Sequence, residues 1–313
     1  MKILLFLAGL AVALAGLCFG SASFRSWQSA SSGPEAKQAG KSSPVSVTDD
    51  RGMTIALDMP AQRIVSLAPH ITENLFAIGA GKQVVGAVNF SDYPAEAEQI
   101  PRVGGYNNID LERIRALKPD LIVAWQSGNP QKQLALLETL GIPVFYENSR
   151  TLKQVPTVLE RLGTLTGKTD EARSAALHFR ERIEKLEKQY AGRAPVRVFY
   201  QVWDRPLMTI NGEQIISDAM RACGAVNVFA SQPSLTPTID EEAVLAADPD
   251  LITTSLHGSK DESLERWRRW PNLAAVRNQR LVALPKDLLN RMGPRLADGT
   301  EALCDAVEKT RKP

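Results

Sequence analysis

The sequence predicts an α/β fold: two similar lobes with mostly parallel central sheets, joined by one long rigid α-helix. Three observations predict it. Short apolar runs alternate with helical patterns along most of the chain, the signature of parallel sheets. LERIRALKPDLIVAW (111–125) is echoed by EEAVLAADPDLITTS (241–255): each follows Ile-Asp, carries an early Glu, and places Pro-Asp-Leu-Ile seven residues after that Glu. Between these copies, Thr169–Tyr190 interrupts the alternation with a single apolar stripe, Ala172, Ala176, Phe179, Ile183, Leu186 and Tyr190, spaced for one face of a helix. Such a helix is about 33 Å long, and acids at its start suit its dipole.

The elements follow in order. Residues 1–22 begin with one Lys and a nearly unbroken apolar run to Phe19, then Gly20, Ser21 and Ala22. This reads as a secretory signal cleaved after Ala22; a membrane anchor through residues 3–19 and lipid attachment at Cys18 are the alternatives. Residues 23–44 hold too few apolar side chains to order themselves and read as a tether. The N-terminal lobe, 45–168, opens with a β-hairpin from Val45 to Leu57. RIVSLAP (63–69) is a strand stopped by Pro69, with a helix starting near His70 or Thr72. QVVGAV is a strand, and NIDLERIRALKP a helix with Asp110 as N-cap and Pro119 as its stop. DLIVAW is a buried strand, followed by the helix PQKQLALLETLG and the strand IPVFYE. The linking helix occupies 169–191 and the C-terminal lobe 192–313. There VRVFYQVW is a strand, QIISDAMRACGA a helix closed by Gly224, and the second copy of the repeat another helix and strand. SLERWRRWPNLAAVRNQRLVALP gives a helix, a Pro stop and a strand, before a last helix containing Cys304.

Composition narrows the function. A net charge of +2 with 23% charged residues gives no reason to expect a polyanionic partner. Trp267 and Trp270 in RWRRWP, three apart, read as packed on the sheet rather than as a nucleic-acid surface. No Gly-x-Ser-x-Gly elbow is present, and GAGKQ (79–83) lacks the hydroxyl residue of a phosphate loop. His70 and Glu73, with the distant His257, would suit a metal-dependent hydrolase, yet they read more simply as polar residues near element ends. No nucleophile, base and orienter assemble, so the chain reads as a non-enzyme without metal or catalytic cofactor. Outside the signal, Cys223 and Cys304 form an even pair, read as a disulfide in an exported protein and as two buried thiols otherwise. Phe90, Tyr106, Trp125 and Trp203 fall at strand ends, where α/β sheets carry their ligands. Four such rings suit a large, flat, partly apolar molecule in a cleft between the lobes.

The runs RIVSLAPHITENLFAIGA, NFSDYPAEAEQIPRVGGYNNIDLERIRALKPDLIVAW and LERWRRWPNLAAVRNQRLVALP, with RMGPR and both cysteines, resemble the periplasmic substrate-binding proteins of ABC importers for iron-siderophores, haem and cobalamin. The likeness runs from about Arg63 to Val307 and is strongest to the cobalamin branch. It implies cobalamin, or a related corrinoid, held between two lobes that close only modestly, with haem or a ferric siderophore as the alternative cargo. It implies a first-lobe wall of Pro69, Phe90, Tyr106 and Trp125, faced by Val202 or Trp203, Asp287 and Arg291. It pairs Cys223 with Cys304. It makes Glu112 and Glu242 surface acids that dock on the arginines of a two-fold membrane permease, and the binding protein a periplasmic monomer. The chain departs from the family pattern at three rings: Phe90 replaces a Tyr, Tyr106 a Trp, and Thr236 or Pro237 stands where the second lobe would carry a Trp.

Overall fold

The structure, a computed structural model, describes residues 43–139, 141–255 and 263–312. The signal, nearly all of the tether, Cys18 and His257 lie outside the described residues. Among those described, no helix is long and apolar enough to cross a membrane.

The first half opens with the antiparallel hairpin β1 (Val45–Thr48) and β2 (Thr54–Leu57). Then follow β3 (Ile64–Ser66), α1 (Pro69–Ala77), β4 (Val84–Ala87), the two-residue pair β5 (Gly104–Gly105) and β6 (Asn108–Ile109), α2 (Leu111–Leu117), β7 (Leu121–Trp125), α3 (Gln131–Glu138), β8 (Val144–Glu147) and α4 (Gln154–Thr166). Helix α5 (Thr169–Tyr190) leads to β9 (Val196–Gln201), α6 (Ile215–Ala222), β10 (Ala225–Asn227), α7 (Glu241–Ala247), β11 (Leu251–Ser255), α8 (Ala274–Arg277), β12 (Leu281–Leu284) and α9 (Leu296–Arg311). The halves repeat one topology. The sheets run β4-β3-β7-β8 and β10-β9-β11-β12, every neighbour parallel. In both, the first strand lies between the second and the third.

The repeated phrase has a structural cause. Asp110 and Asp240 cap α2 and α7 by accepting the N–H groups of Arg113 (3.0 Å) and Ala243 (2.8 Å). Each helix ends on a left-handed residue, Lys118 (φ 48°) or Asp248 (φ 35°). After the proline, Asp120 accepts the N–H groups of Gln62 and Arg63, just before β3, and Asp250 that of Arg197, at the start of β9. Arg63 and Arg197 donate back to the last helical carbonyls, Leu117 (2.6 Å) and Ala247 (2.7 Å). Helix and first strand are thus locked together in the same manner in both halves, and otherwise orphaned helix-end carbonyls find donors.

All six residues of the α5 stripe are buried. The helix packs on α4 on one side and on α6 and α9 on the other. Cys223, at the C-cap of α6, forms a disulfide with Cys304 in α9. Besides short elements the sequence reading does not name, such as β5, β6, β10 and α8, the structure differs from expectation at α1, α4 and RWRRWP. Helix α1 starts at Pro69 itself, because the missing proline N–H costs nothing at a first helical position. Helix α4, which the sequence reading passes over, carries Pro156 in its first turn, where N–H groups have no intrahelical partner. The helix expected around RWRRWP is one 3-10 turn, Glu265–Arg269. Trp267 is fully buried there, but Trp270, just ahead of Pro271, is 37% exposed rather than packed on the sheet.

Candidate functional site

Where a parallel sheet reverses its strand order, the loops beyond the two diverging strands leave a crevice. In the first half that point lies beyond β3 and β7, at Pro69 and Trp125; in the second it lies beyond β9 and β11, at Val202. The two crevices face each other across a cavity of about 470 Å³ lined from both halves. From the first half Pro69, Phe90, Tyr106 and Trp125 reach it; from the second, Val202, Asp287 and Arg291. Trp203 is not among the lining residues. It is half exposed and donates its indole N–H to the carbonyl of Arg205. At the position of the missing ring, Thr236 with Leu235 lines the cavity and Pro237 does not. One wall is therefore aromatic. The opposite wall is aliphatic, with Val202, Ile210, Ile215 and Leu235.

Trp125 is held from several sides. Its N–H donates to the side-chain carbonyl of Asn129 (2.7 Å), whose amide donates to the carbonyls of Leu67 and Tyr106 (2.8 Å each). One buried side chain thus ties three parts of the wall together. The ring of Tyr106 lies 6.1 Å from that of Trp125, tilted by 47°. His70 meets Trp125 edge-on at 5.2 Å, and its Nε2 hydrogen-bonds Glu147 at 2.7 Å. Burial pushes the Glu147 carboxyl up, yet His70 and the N–H of Ser149 hold it below its ordinary pKa. Gly128 closes the support. A β-carbon there would lie 1.9 Å from the Trp125 ring.

The rim is polar. Asn148, Ser149, Arg150, Gln214 and Asn290 line it. Phe90 and Asp287 hold left-handed backbone (φ 66° and 65°) at opposite edges, the kind of local strain that clusters at binding sites. Arg291 is 7% exposed and donates to Glu73 (2.7 Å), Asp92 (2.8 Å) and Asp287 (3.0 Å). Burial opposes its charge, but Asp92 and Glu73 hold its pKa above the usual arginine value.

Of the residues expected to suit a metal, two have other partners, and His257 lies outside the described residues. His70 is bonded to Glu147, and Glu73 to Arg291 and Arg295. Among the described residues no three metal-ligating side chains gather. Sequence reasoning missed Asn129, Gly128 and Glu147. The only signal for the first two was their place directly after a strand ending in Trp.

Glu112 and Glu242 are the second helical residues of α2 and α7, both exposed. Neither makes an ion pair or hydrogen bond with a described residue. Glu241, one position earlier, differs. It is bonded to Arg266, Arg269 and the Trp270 indole, and despite some burial these partners bring its carboxyl down to about 2.

A family profile described as periplasmic binding protein matches residues 64–288. The chain is 38% identical over 259 residues to a vitamin B12-binding protein of Vibrio cholerae, covering 82% of this chain and 93% of that one. The crystal structure of the periplasmic vitamin B12 binding protein of Vibrio cholerae superposes with a TM-score of 0.76 at 37% identity, over 81% of this chain and 99% of the other. A periplasmic haem-binding protein from Roseiflexus sp. RS-1 shares the fold at 22% identity, with a TM-score of 0.72 over 80% and 100%.

Proposed function

Because the chain belongs to the periplasmic binding protein family, we propose that it captures cobalamin or a closely related corrinoid between its two lobes and delivers it to an ABC importer. The single observation that carries this reading is the cavity between the two facing sheet crevices, with Phe90, Tyr106 and Trp125 on one wall and aliphatic side chains on the other. A flat macrocycle has large apolar faces for such walls, and amide substituents at its edge match a rim of Asn148, Ser149, Arg150, Gln214 and Asn290. Relatives named for vitamin B12 binding at 35–38% identity support the same cargo. The protein works in the periplasm as a monomer and catalyses nothing. Its residues 1–22 export it, and residues 23–44 tether the folded part. Glu112 and Glu242, in equivalent places on equivalent helices, suit a permease built on a two-fold axis, where charge complementarity sets orientation and encounter rate.

Calorimetric titration with cyanocobalamin, run beside haemin and a ferric hydroxamate siderophore, tests the cargo. Saturable one-to-one binding of cyanocobalamin, with quenching of Trp125 fluorescence, is the expected outcome. Absence of corrinoid binding at micromolar concentration, with tight haemin or siderophore binding, would reassign it.

A further inference from the structure

Two motifs that mark the sequence, SDYP (91–94) and RMGPR (291–295), lie in opposite halves, and they meet. Arg291 donates to Asp92 (2.8 Å) and to Glu73 of α1 (2.7 Å). Arg295 donates to both Glu73 oxygens (2.8 and 2.6 Å) and lies 3.8 Å over the Tyr93 ring. Between the arginines, the Met292 carbonyl accepts from Asn74 (3.2 Å). A β-carbon on Gly293 would lie 2.6 Å from the Asn74 side-chain oxygen, so a larger residue there would have to displace the Asn74 amide. The Glu73 side chain is 2% exposed. Its charge is balanced by two arginines from the other half, and separating the halves would break these charge-assisted bonds. Arg291 also lines the cavity. One residue therefore borders the cavity and ties the halves.

We propose that this contact is an interlobe latch, with Glu73 as the positioning residue that holds Arg291 at the cavity wall, and that its opening governs cargo release. The proposal rests on the ligand-binding reading above. Since linkage is reciprocal, a latch that raises cargo affinity is itself tightened by bound cargo.

The test labels Ala116→Cys and Ala246→Cys, exposed and equivalent positions on α2 and α7, with spin labels and measures the distance between halves. Two variants are compared with the parent: Glu73→Gln, which keeps the shape and removes the charge, and Arg295→Met, which leaves every cavity-lining residue in place. Both are expected to broaden the distance distribution. Both are expected to raise the cyanocobalamin dissociation rate by about tenfold, with the association rate changed by less than about threefold. A merely structural role would lower the unfolding temperature without separating the two rates. Unchanged distances, or unchanged dissociation despite broadened distances, in folded Arg295→Met protein overturns the latch. If the parent does not bind cyanocobalamin, the cargo reading fails, and the distance distributions still decide whether the halves are latched.

Discussion

The Trp125 ring rests on His70, Gly128 and a backbone held by Asn129, so its orientation is fixed before any ligand arrives. Preorganisation of this kind lowers the ordering cost of binding. Trp125→Ala removes a large apolar face and is expected to weaken cyanocobalamin binding by about 1–2 kcal/mol, read by calorimetry. Gly128→Ala tests the support rather than the ring. Its new methyl must displace the indole, so affinity is expected to fall by a similar amount with little change in unfolding temperature. Wild-type affinity in folded Gly128→Ala protein would show that the ring has room to move. Neither Gly128 nor Asn129 was legible as part of the site, since their roles depend on which loop the Trp side chain folds back over.

At the scale of elements, the first turn of α7 carries a pH dependence. Glu241 has its folded-state pKa depressed from 4.5 to about 2. A depressed carboxylate contributes stability that is complete above its unfolded pKa and is lost as pH falls towards the folded one. Glu241→Gln is therefore expected to cost about 1–2 kcal/mol at pH 7, allowing for solvent screening. It should also flatten the decline in stability between about pH 4.5 and 2, measured by urea unfolding across that window. The disulfide ties α6 to α9 across a sequence separation of 81 residues. Replacing both cysteines by alanine is expected to remove about 2–4 kcal/mol, since a long loop in the unfolded chain is released. An unchanged denaturation midpoint would mean that packing of α6 on α9 already supplies that restraint.

For the whole molecule, α5 buries one stripe against elements of both halves, and the repeated helix-to-strand lock sets Glu112 and Glu242 at matching places. If those acids dock on a two-fold permease, Glu112→Arg with Glu242→Arg is expected to abolish uptake in cells supplied with corrinoid while leaving cyanocobalamin affinity intact. Full uptake by the double variant would remove docking from their role. The single reversals should each retain part of the uptake, because each half presents its own carboxylate.

The sequence by itself determined the α/β class, the doubled architecture, the α5 stripe and the helix caps, because these follow from local periodicity and short-range hydrogen bonding. Ile-Asp and Pro-Asp could be read as a repeat since both ends of each lock lie near elements whose order the pattern already gives. The tertiary structure alone decided that Glu73 and His70 are bonded to distant partners and that SDYP meets RMGPR. Those outcomes depend on side chains some 80 to 220 residues apart, and contacts at such separation leave no periodic trace along the chain.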